Sequence, residues 1–137
     1  MIVFNLYYGR SFFGKEPRKK MKKENCIFCK IAKGEIPAER ILETDNFFAI
    51  KDIKPKTKGH SLVISKKHYR TLLDMPSSLL GELLEAGKEL AFKLLKEENA
   101  EGFNLVINNY EVAGQLVPHF HLHILPRKKD DGFRMNV

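Results

Sequence analysis

Hydrophobic and polar positions divide the chain into one long block with the period of a helix and several short blocks that predict strands. From Pro76 to about Glu98, apolar residues recur every three or four positions, which predicts a helix with one apolar stripe. Proline suits the first turn of such a helix, and Gly102 follows its end. The predicted stripe consists of Leu80, Leu83, Leu84, Gly87, Leu90, Ala91, Leu94 and Leu95.

The shorter blocks predict a small first helix and about five strands. The helix spans Cys26 to Lys33 and is stopped by Gly34. Strands are predicted at Arg40–Glu43, Phe47–Ile50, His60–Ser65, Phe103–Ile107 and His119–Leu125. Because such strands usually have a neighbour joined by a short link, we predict the α+β class, with an antiparallel sheet of about five strands covered by one long helix.

The last predicted strand carries three histidines, His119, His121 and His123, each followed by an apolar residue. Side chains of a strand alternate between its two faces, so the histidines share one face while the apolar residues enter a core. A solvated polar face is the simpler interpretation, but serine, threonine or lysine would serve it equally well. Imidazole can act as a nucleophile, a proton donor or a metal ligand near neutral pH, which favours a chemical role.

The positive charge of the chain is concentrated at its beginning. The net charge is +7, and residues 1–23 contain seven basic residues and one acidic residue, which leaves +1 for the remaining positions. We therefore predict a basic N-terminal extension over residues 1–23 and one domain over residues 24–137. Met21 could be a second natural start, so the extension is either genuine or the product of a start assigned too early. A nucleic-acid surface on the nearly neutral domain is not expected.

Cys26 and Cys29 are the two cysteines of the sequence, and they are separated by two residues. Redox dithiols and metal sites share this spacing, but a redox pair is expected near a βαβ pattern, which the sequence lacks. No apolar run approaches the roughly 18 residues that would cross a membrane, and no secretory signal is evident. The sequence therefore predicts a cytoplasmic protein with reduced thiols and no membrane segment.

Several separated motifs resemble the histidine-triad (HIT) superfamily of nucleotide hydrolases and transferases. The resemblance covers about residues 25–127 and rests on motifs in the same order along the chain, which makes it more specific than three histidines alone. The motifs are Cys26–Ile31 with Gly34–Pro37, Asp52–Ile53 leading to Lys58–His60, and Ala113–Gln115 leading into His119–Arg127.

The resemblance implies a role for each motif in hydrolysis of a purine nucleotide. His121 is implied as the nucleophile that attacks the α-phosphorus and forms a covalent nucleotidyl-histidine, with His123 and His60 supplying a proton to the leaving group. Asn108 and Gln115 are implied as contacts to the α-phosphate, and Asp52 as the acceptor of the ribose hydroxyls. The implied pocket for the base is apolar and comprises Ile27, Phe28, Ile36 and Ile53.

Members of the family from bacteria and archaea also imply a zinc site and a homodimer whose two sheets join edge to edge. The implied ligands are Cys26, Cys29, His68 and His119, a set that closes a tetrahedron and therefore suits a structural ion. The alternative is an empty site in which the cysteines are small buried residues. Only the fold could assemble these four ligands, because they are far apart in sequence.

The implied function is cleavage of a nucleoside phosphoramidate or a related nucleotidyl conjugate. Dinucleoside polyphosphate hydrolysis is the alternative, and a nucleotide-binding regulator or scaffold with incidental turnover is another. Leu116 departs from relatives that have serine or threonine at this position, whose hydroxyl reaches the phosphate or leaving group. The preference for one leaving group over another is therefore open.

Overall fold

The computed structural model of the protein describes residues 25–135, and the predicted basic extension lies outside them. Within this range, α1 spans Ile27–Ala32 and α2 spans Leu80–Glu97. The strands are β1 (Leu42–Glu43), β2 (Phe47–Lys51), β3 (Ser61–Ser65), β4 (Gly102–Ile107) and β5 (His121–Arg127). This arrangement confirms the predicted α+β class, with five strands and one long helix.

All five strands are antiparallel and lie in the order β1-β2-β3-β5-β4. The strand with the histidines is therefore an inner strand, although it is the last strand in the sequence. Its register pairs His121 with Ile64 and His123 with Leu62 on β3. On its other side β5 pairs with β4, which forms one edge of the sheet.

The sheet separates two apolar clusters, one on each face. Helix α2 packs on one face, where Leu90 and Leu94 join the buried Phe120, Leu122 and Ile124. Helix α1 packs on the other face, with a second cluster that includes Cys26, Phe28, Cys29, Ile31, Phe48, Ile50, Leu62 and Ile64. Alternation along β5 therefore sends its apolar residues towards α2 and its histidines towards α1.

Two details differ from the sequence prediction. Within the predicted stripe of α2, Leu80 and Leu84 are exposed and Ala86 is buried instead, because α2 covers β5 and β4 with a narrower face than the leucine pattern indicates. His119 precedes β5 instead of belonging to it, because its backbone N–H donates to Val117 in a tight turn and the next residue donates to Tyr69. Among residues 25–135 no helix is long and apolar enough to cross a membrane.

Candidate functional site

The nearest neighbours of His121 fix the protonation of its ring. Its Nδ1 atom lies 2.7 Å from the backbone oxygen of His119, and a carbonyl oxygen can only accept, so Nδ1 carries the proton. The lone pair is then on Nε2. Burial lowers the pKa of His121, which keeps the ring neutral near pH 7. The ring of Phe28 contacts it edge-on, with centroids 5.1 Å apart.

A second histidine pair lies beside His121. The Nε2 atom of His60 is 2.9 Å from Nδ1 of His123, and the rings of His121 and His123 have centroids 4.9 Å apart. The backbone N–H of Lys56 donates to Nδ1 of His60 at 3.0 Å, so the proton of His60 lies on Nε2 and points at His123. Burial is the main cause that lowers the pKa of His60 and that lowers the pKa of His123 to about 4.

Asp52 joins this pair through its carboxylate. Its Oδ2 atom is 3.4 Å from Nε2 of His60, and its Oδ1 accepts the backbone N–H of Lys54. Asp52, His60 and His123 thus form a group of three potential metal ligands. The hydrogen bond from Lys56 makes the group unsuited to a metal ion, because it leaves a proton, and no lone pair, on Nε2 of His60.

The two cysteines and two more histidines converge on the same face of the sheet. Nδ1 of His119 lies 3.2 Å from Sγ of Cys26, 3.5 Å from Sγ of Cys29 and 3.2 Å from Nδ1 of His68. Sγ of Cys29 and Nδ1 of His68 are also 3.2 Å apart. Tetrahedral coordination by two sulfurs and two nitrogens separates the donors by about 3.3–3.8 Å, so the group could hold a metal ion.

Protonation of His119 suits this role. Its Nε2 lies 2.7 Å from the backbone oxygen of Ser65, which can only accept, so Nε2 carries the proton and Nδ1 presents a lone pair to the cysteines. Burial lowers the pKa of His119 to about 4, and a neutral ring is the form that binds metal. His119 therefore offers a metal the lone pair that Nε2 of His60 lacks in the Asp52 group.

Helix α1 brings its two cysteines to one end. Cys26 is the N-cap and its Sγ accepts the backbone N–H of Cys29 at 3.4 Å, so both sulfurs lie at the first turn. Arg40 holds the other end of α1. Its Nη2 donates to the backbone oxygens of Ile31 and Ala32, both at 3.0 Å, and its guanidinium covers the ring of Phe48. Arg40 therefore anchors the end of α1 that lies opposite the two sulfurs.

The predicted phosphate contacts lie in and beside the loop that precedes His119. Gln115 is buried, and its side chain accepts from the backbone of Tyr110 and donates to the backbone oxygen of Arg70. The side chain of Asn108 lies against Gly114. Tyr110 has φ +74° and ψ 156°, a region that is almost restricted to glycine, so the loop is held under strain. Leu116 is 90% exposed.

The residues predicted around the base are only partly brought together. Phe28 is buried against His121, and Ile36 packs on the cluster beside α1. Ile27 is exposed, and Ile53 is 90% exposed on the loop that carries Asp52, away from that cluster. The roles of all four residues in binding a base stay predictions.

Sequence reasoning missed the backbone groups that orient the histidines and the side chains that hold the loops. The N–H of Lys56 and the carbonyl of Ser65 leave no signal in the sequence, because every residue type provides them. Gly59 does leave one: it has φ +88°, directly before His60, and a Cβ there would lie 2.6 Å from Cγ of Glu98. A glycine before the histidine was thus a visible sign of a close approach.

Comparisons with known proteins agree with this geometry. The sequence-family model described as the HIT domain matches residues 33–130 of this chain. An uncharacterised HIT-like protein of Methanocaldococcus jannaschii is 46% identical over 78% of this chain and 82% of its own length. A Candida albicans protein named adenosine 5'-monophosphoramidase is 39% identical over 82% of this chain and 76% of its own length. The structure of a Zn-bound histidine triad family protein from Mycobacterium smegmatis is 38% identical, with a TM-score of 0.77 and 84% of each chain covered.

Proposed function

The chain belongs to the HIT family, and on that premise we propose that it hydrolyses the bond to the α-phosphate of a purine nucleotide through a covalent nucleotidyl-histidine at His121. The observation that carries the proposal is the hydrogen bond from Nδ1 of His121 to the backbone oxygen of His119. It leaves a buried, neutral imidazole with its lone pair on Nε2, which is the form that a nucleophile requires.

The reaction proceeds in two displacements. In the first, Nε2 of His121 bonds to the α-phosphorus, the bond to the leaving group breaks, and the leaving group takes a proton from the His60–His123 pair. In the second, water attacks the phosphorus, the P–N bond to His121 breaks, and the proton of the water returns to the pair. Backbone and side-chain N–H groups of the 108–117 loop donate to the phosphate oxygens, whose charge increases in the transition state.

Replacement of His121 tests the covalent mechanism. We expect His121→Ala to lose essentially all turnover of adenosine 5′-phosphoramidate while binding AMP with nearly unchanged affinity. Wild-type protein quenched during turnover should gain the mass of one nucleotidyl group on His121, as measured by peptide mass spectrometry. Substantial hydrolysis by a folded His121→Ala protein would contradict the mechanism, and tight AMP binding without any wild-type turnover would favour the regulator or scaffold.

Phosphoramidates are the proposed substrate class. The C. albicans relative carries a phosphoramidase name, and Leu116 lacks the hydroxyl that could assist a difficult leaving group. A protonated amine leaves readily without that help. We therefore expect a higher kcat/KM for adenosine 5′-phosphoramidate than for diadenosine polyphosphates, and Leu116→Ser should narrow the difference. Leu116→Ala is the matched control, because it changes size without adding a hydroxyl; a preference for the dinucleotide would reverse the assignment.

Zinc is the proposed metal, held by Cys26, Cys29, His68 and His119. A Zn-bound relative and the donor distances support this choice. Two thiolates and two imidazoles complete a tetrahedron, so the ion would contribute stability and would leave no open position for a catalytic water. No disulfide joins Cys26 and Cys29, and reduced thiols of this kind are expected in a reducing compartment such as the cytoplasm.

A homodimer joined along β4 is the proposed assembly. This strand forms an edge of the sheet, and Phe103 and Leu105 are exposed on the face that α2 covers, where Phe92 is 67% exposed. A second copy would cover these side chains. Sedimentation of Leu105→Lys should show a monomer, whereas the control Val112→Lys, at an exposed loop position, should sediment as the wild type does. A wild-type monomer would contradict the assembly.

The basic extension, residues 1–23, is proposed to have no part in hydrolysis. The HIT domain match begins at residue 33. Deletion of residues 1–20 should therefore leave hydrolysis and dimerisation unchanged while it lowers the net charge from +7 to +3. Loss of turnover in this deletion would move the domain boundary towards the N-terminus.

A further inference from the structure

Three groups surround the ring of His60, which is only 2% exposed. The backbone N–H of Lys56 donates to Nδ1 at 3.0 Å. At the other nitrogen, Nε2 is 2.9 Å from Nδ1 of His123 and 3.4 Å from Oδ2 of Asp52. The charged and titratable groups that face the histidine pair are Asp52 and Lys56 on the loop and His121 on β5.

These contacts decide where an added proton can reside. A proton on Nδ1 of His60 would face the N–H of Lys56, so two donors would oppose each other. Nε2 of His60 already carries a proton. An added proton is therefore expected on His123, on Nδ1 of that ring, because Nδ1 holds the lone pair in the resting pair.

Protonated His123 then needs a new acceptor. Its Nδ1–H cannot donate to His60, whose Nε2 is itself a donor. The ligand atoms of Asp52, His60 and His123 all lie within 4.8 Å of one another, so the carboxylate lies close to the ring of His123. A carboxylate is also the group that best stabilises an imidazolium.

We propose that Asp52, in addition to any contact with ribose, is a positioning residue for proton transfer, because its carboxylate accepts Nδ1–H of His123 and stabilises the imidazolium that protonates the leaving group. The inference rests on the proposed function. As the bond from phosphorus to the leaving group breaks, Nε2–H of His123 moves to the leaving atom, and His123 becomes neutral with its Nδ1–H still on Asp52. When water attacks the nucleotidyl-histidine, a proton of the water moves to Nε2, which restores the imidazolium.

Leaving groups of different basicity separate this role from ribose binding. Adenosine 5′-phosphoramidate needs a proton for its leaving amine, whereas the p-nitrophenyl ester of AMP has a leaving group that departs without one. Each substrate is also made as its 2′,3′-dideoxy analogue, which offers no ribose hydroxyl. The parameter measured is kcat/KM, since it covers the steps up to departure of the leaving group.

For Asp52→Asn we expect kcat/KM to fall about 10²-fold with the phosphoramidate and only a few fold with the nitrophenyl ester. The same ratio should appear with the dideoxy substrates. A loss of equal size for both leaving groups, which disappears with the dideoxy analogues, would overturn the proposal and leave Asp52 with ribose alone. An unchanged kcat/KM for all substrates would also overturn it.

The controls keep the outcomes distinct. Asp45→Asn removes an exposed carboxylate from the β1–β2 turn and should leave every rate unchanged. Asp52→Ser is the second uncharged variant if Asp52→Asn does not fold, as judged by thermal melting. If wild-type protein cleaves none of the substrates, or if His121→Ala cleaves them equally well, the proposed function fails first, whatever Asp52 does.

Discussion

Single backbone groups determine the chemical state of three histidines. One carbonyl, of His119, directs the lone pair of His121 to Nε2. Another, of Ser65, directs the lone pair of His119 towards the cysteines, and the N–H of Lys56 places the proton of His60 opposite His123. Chemically identical side chains thus acquire the protonation states that the proposed nucleophile, metal ligand and proton donor require, through what the backbone offers to one ring nitrogen.

Gly59 fixes the backbone immediately before His60, and an alanine there should be costly. Positive φ costs a residue with Cβ about 1–2 kcal/mol, and the new Cβ would also displace the side chain of Glu98, which pairs with Lys51. We expect Gly59→Ala to reduce the free energy of unfolding in urea and to lower kcat/KM.

Gly34→Ala is the matched control for that substitution. Gly34 has φ +80°, but nothing lies within 4 Å of its added Cβ. Gly34→Ala should therefore lower the free energy of unfolding through its positive φ, but it should not reduce turnover. Partial recovery in the double variant Gly59→Ala with Glu98→Ala would identify the contact, and equal effects of the two glycine substitutions on turnover would contradict it.

Burial of neutral His123 should make stability depend on pH. Its pKa is about 4 in the folded chain, and the ordinary value of 6.5 applies after unfolding. The unfolded chain therefore binds more protons between these values, so stability should decrease as pH falls from about 6.5 to 4 and should not change on this account above 7. Urea unfolding of His123→Gln should show a smaller decrease over this window; identical slopes for both proteins would contradict the assignment.

At the scale of elements, α1 is short and depends on its surroundings. Six residues form too few internal hydrogen bonds to persist alone. Arg40 compensates by donating to two carbonyls at the last turn. The helix that begins at the two cysteines is therefore held at its other end by Arg40, which lies in the connection between α1 and β1.

Arg40→Lys should weaken this attachment while retaining the charge. A lysine cannot donate to two carbonyls in a fork or stack flat on Phe48, so we expect a loss of about 1–3 kcal/mol in the free energy of unfolding. Zinc should also pass more readily to a chromogenic chelator. Glu43→Gln is the control, since it removes the exposed carboxylate that pairs with Arg40 and with Lys66 and leaves both carbonyl contacts of Arg40 in place. An equal effect of both substitutions would contradict a role for the carbonyl contacts.

Elements were predictable from the sequence to different degrees. Long α2 and the buried strands have strong periodic patterns, and their predicted bounds agree with the structure within a few residues. The exposure of Leu84 could not be predicted, because the width of the covered stripe depends on how α2 crosses β5 and β4. The late start of the histidine strand was equally hidden: the backbone N–H of Phe120 donates to the carbonyl of Tyr69, about fifty residues away in the sequence.

At the scale of the molecule, the four-ligand group connects three distant segments, at α1, after β3 and before β5. Periodicity alone could not unite Cys29, His68 and His119, and the resemblance to a family supplied that set. Neither periodicity nor the resemblance could predict the tautomers or the contact of Asp52 with His60, because these depend on distances of a few tenths of an ångström.

Removal of the metal should therefore lower the stability of the whole domain, and its effect should not be confined to the reaction. Protein purified without added metal should contain about one zinc per chain, and chelation should lower the melting temperature. Cys29→Ser should melt at a lower temperature than the wild type and respond little to the chelator. Metal-free protein of unchanged melting temperature would contradict a structural zinc.

The position of β5 between β3 and β4 has a consequence for biosynthesis. About 55 residues separate the end of β3 from the start of β5, so a ribosome adding roughly 5–20 residues per second leaves the edge of β3 waiting for several seconds. Strand β4 has no partner within the sheet until β5 arrives. The same segment that closes the sheet brings His121 and His123, so an incomplete nascent chain has neither a finished sheet nor these two histidines. Under the proposed function, nucleotide hydrolysis therefore begins only when synthesis of the domain is nearly complete.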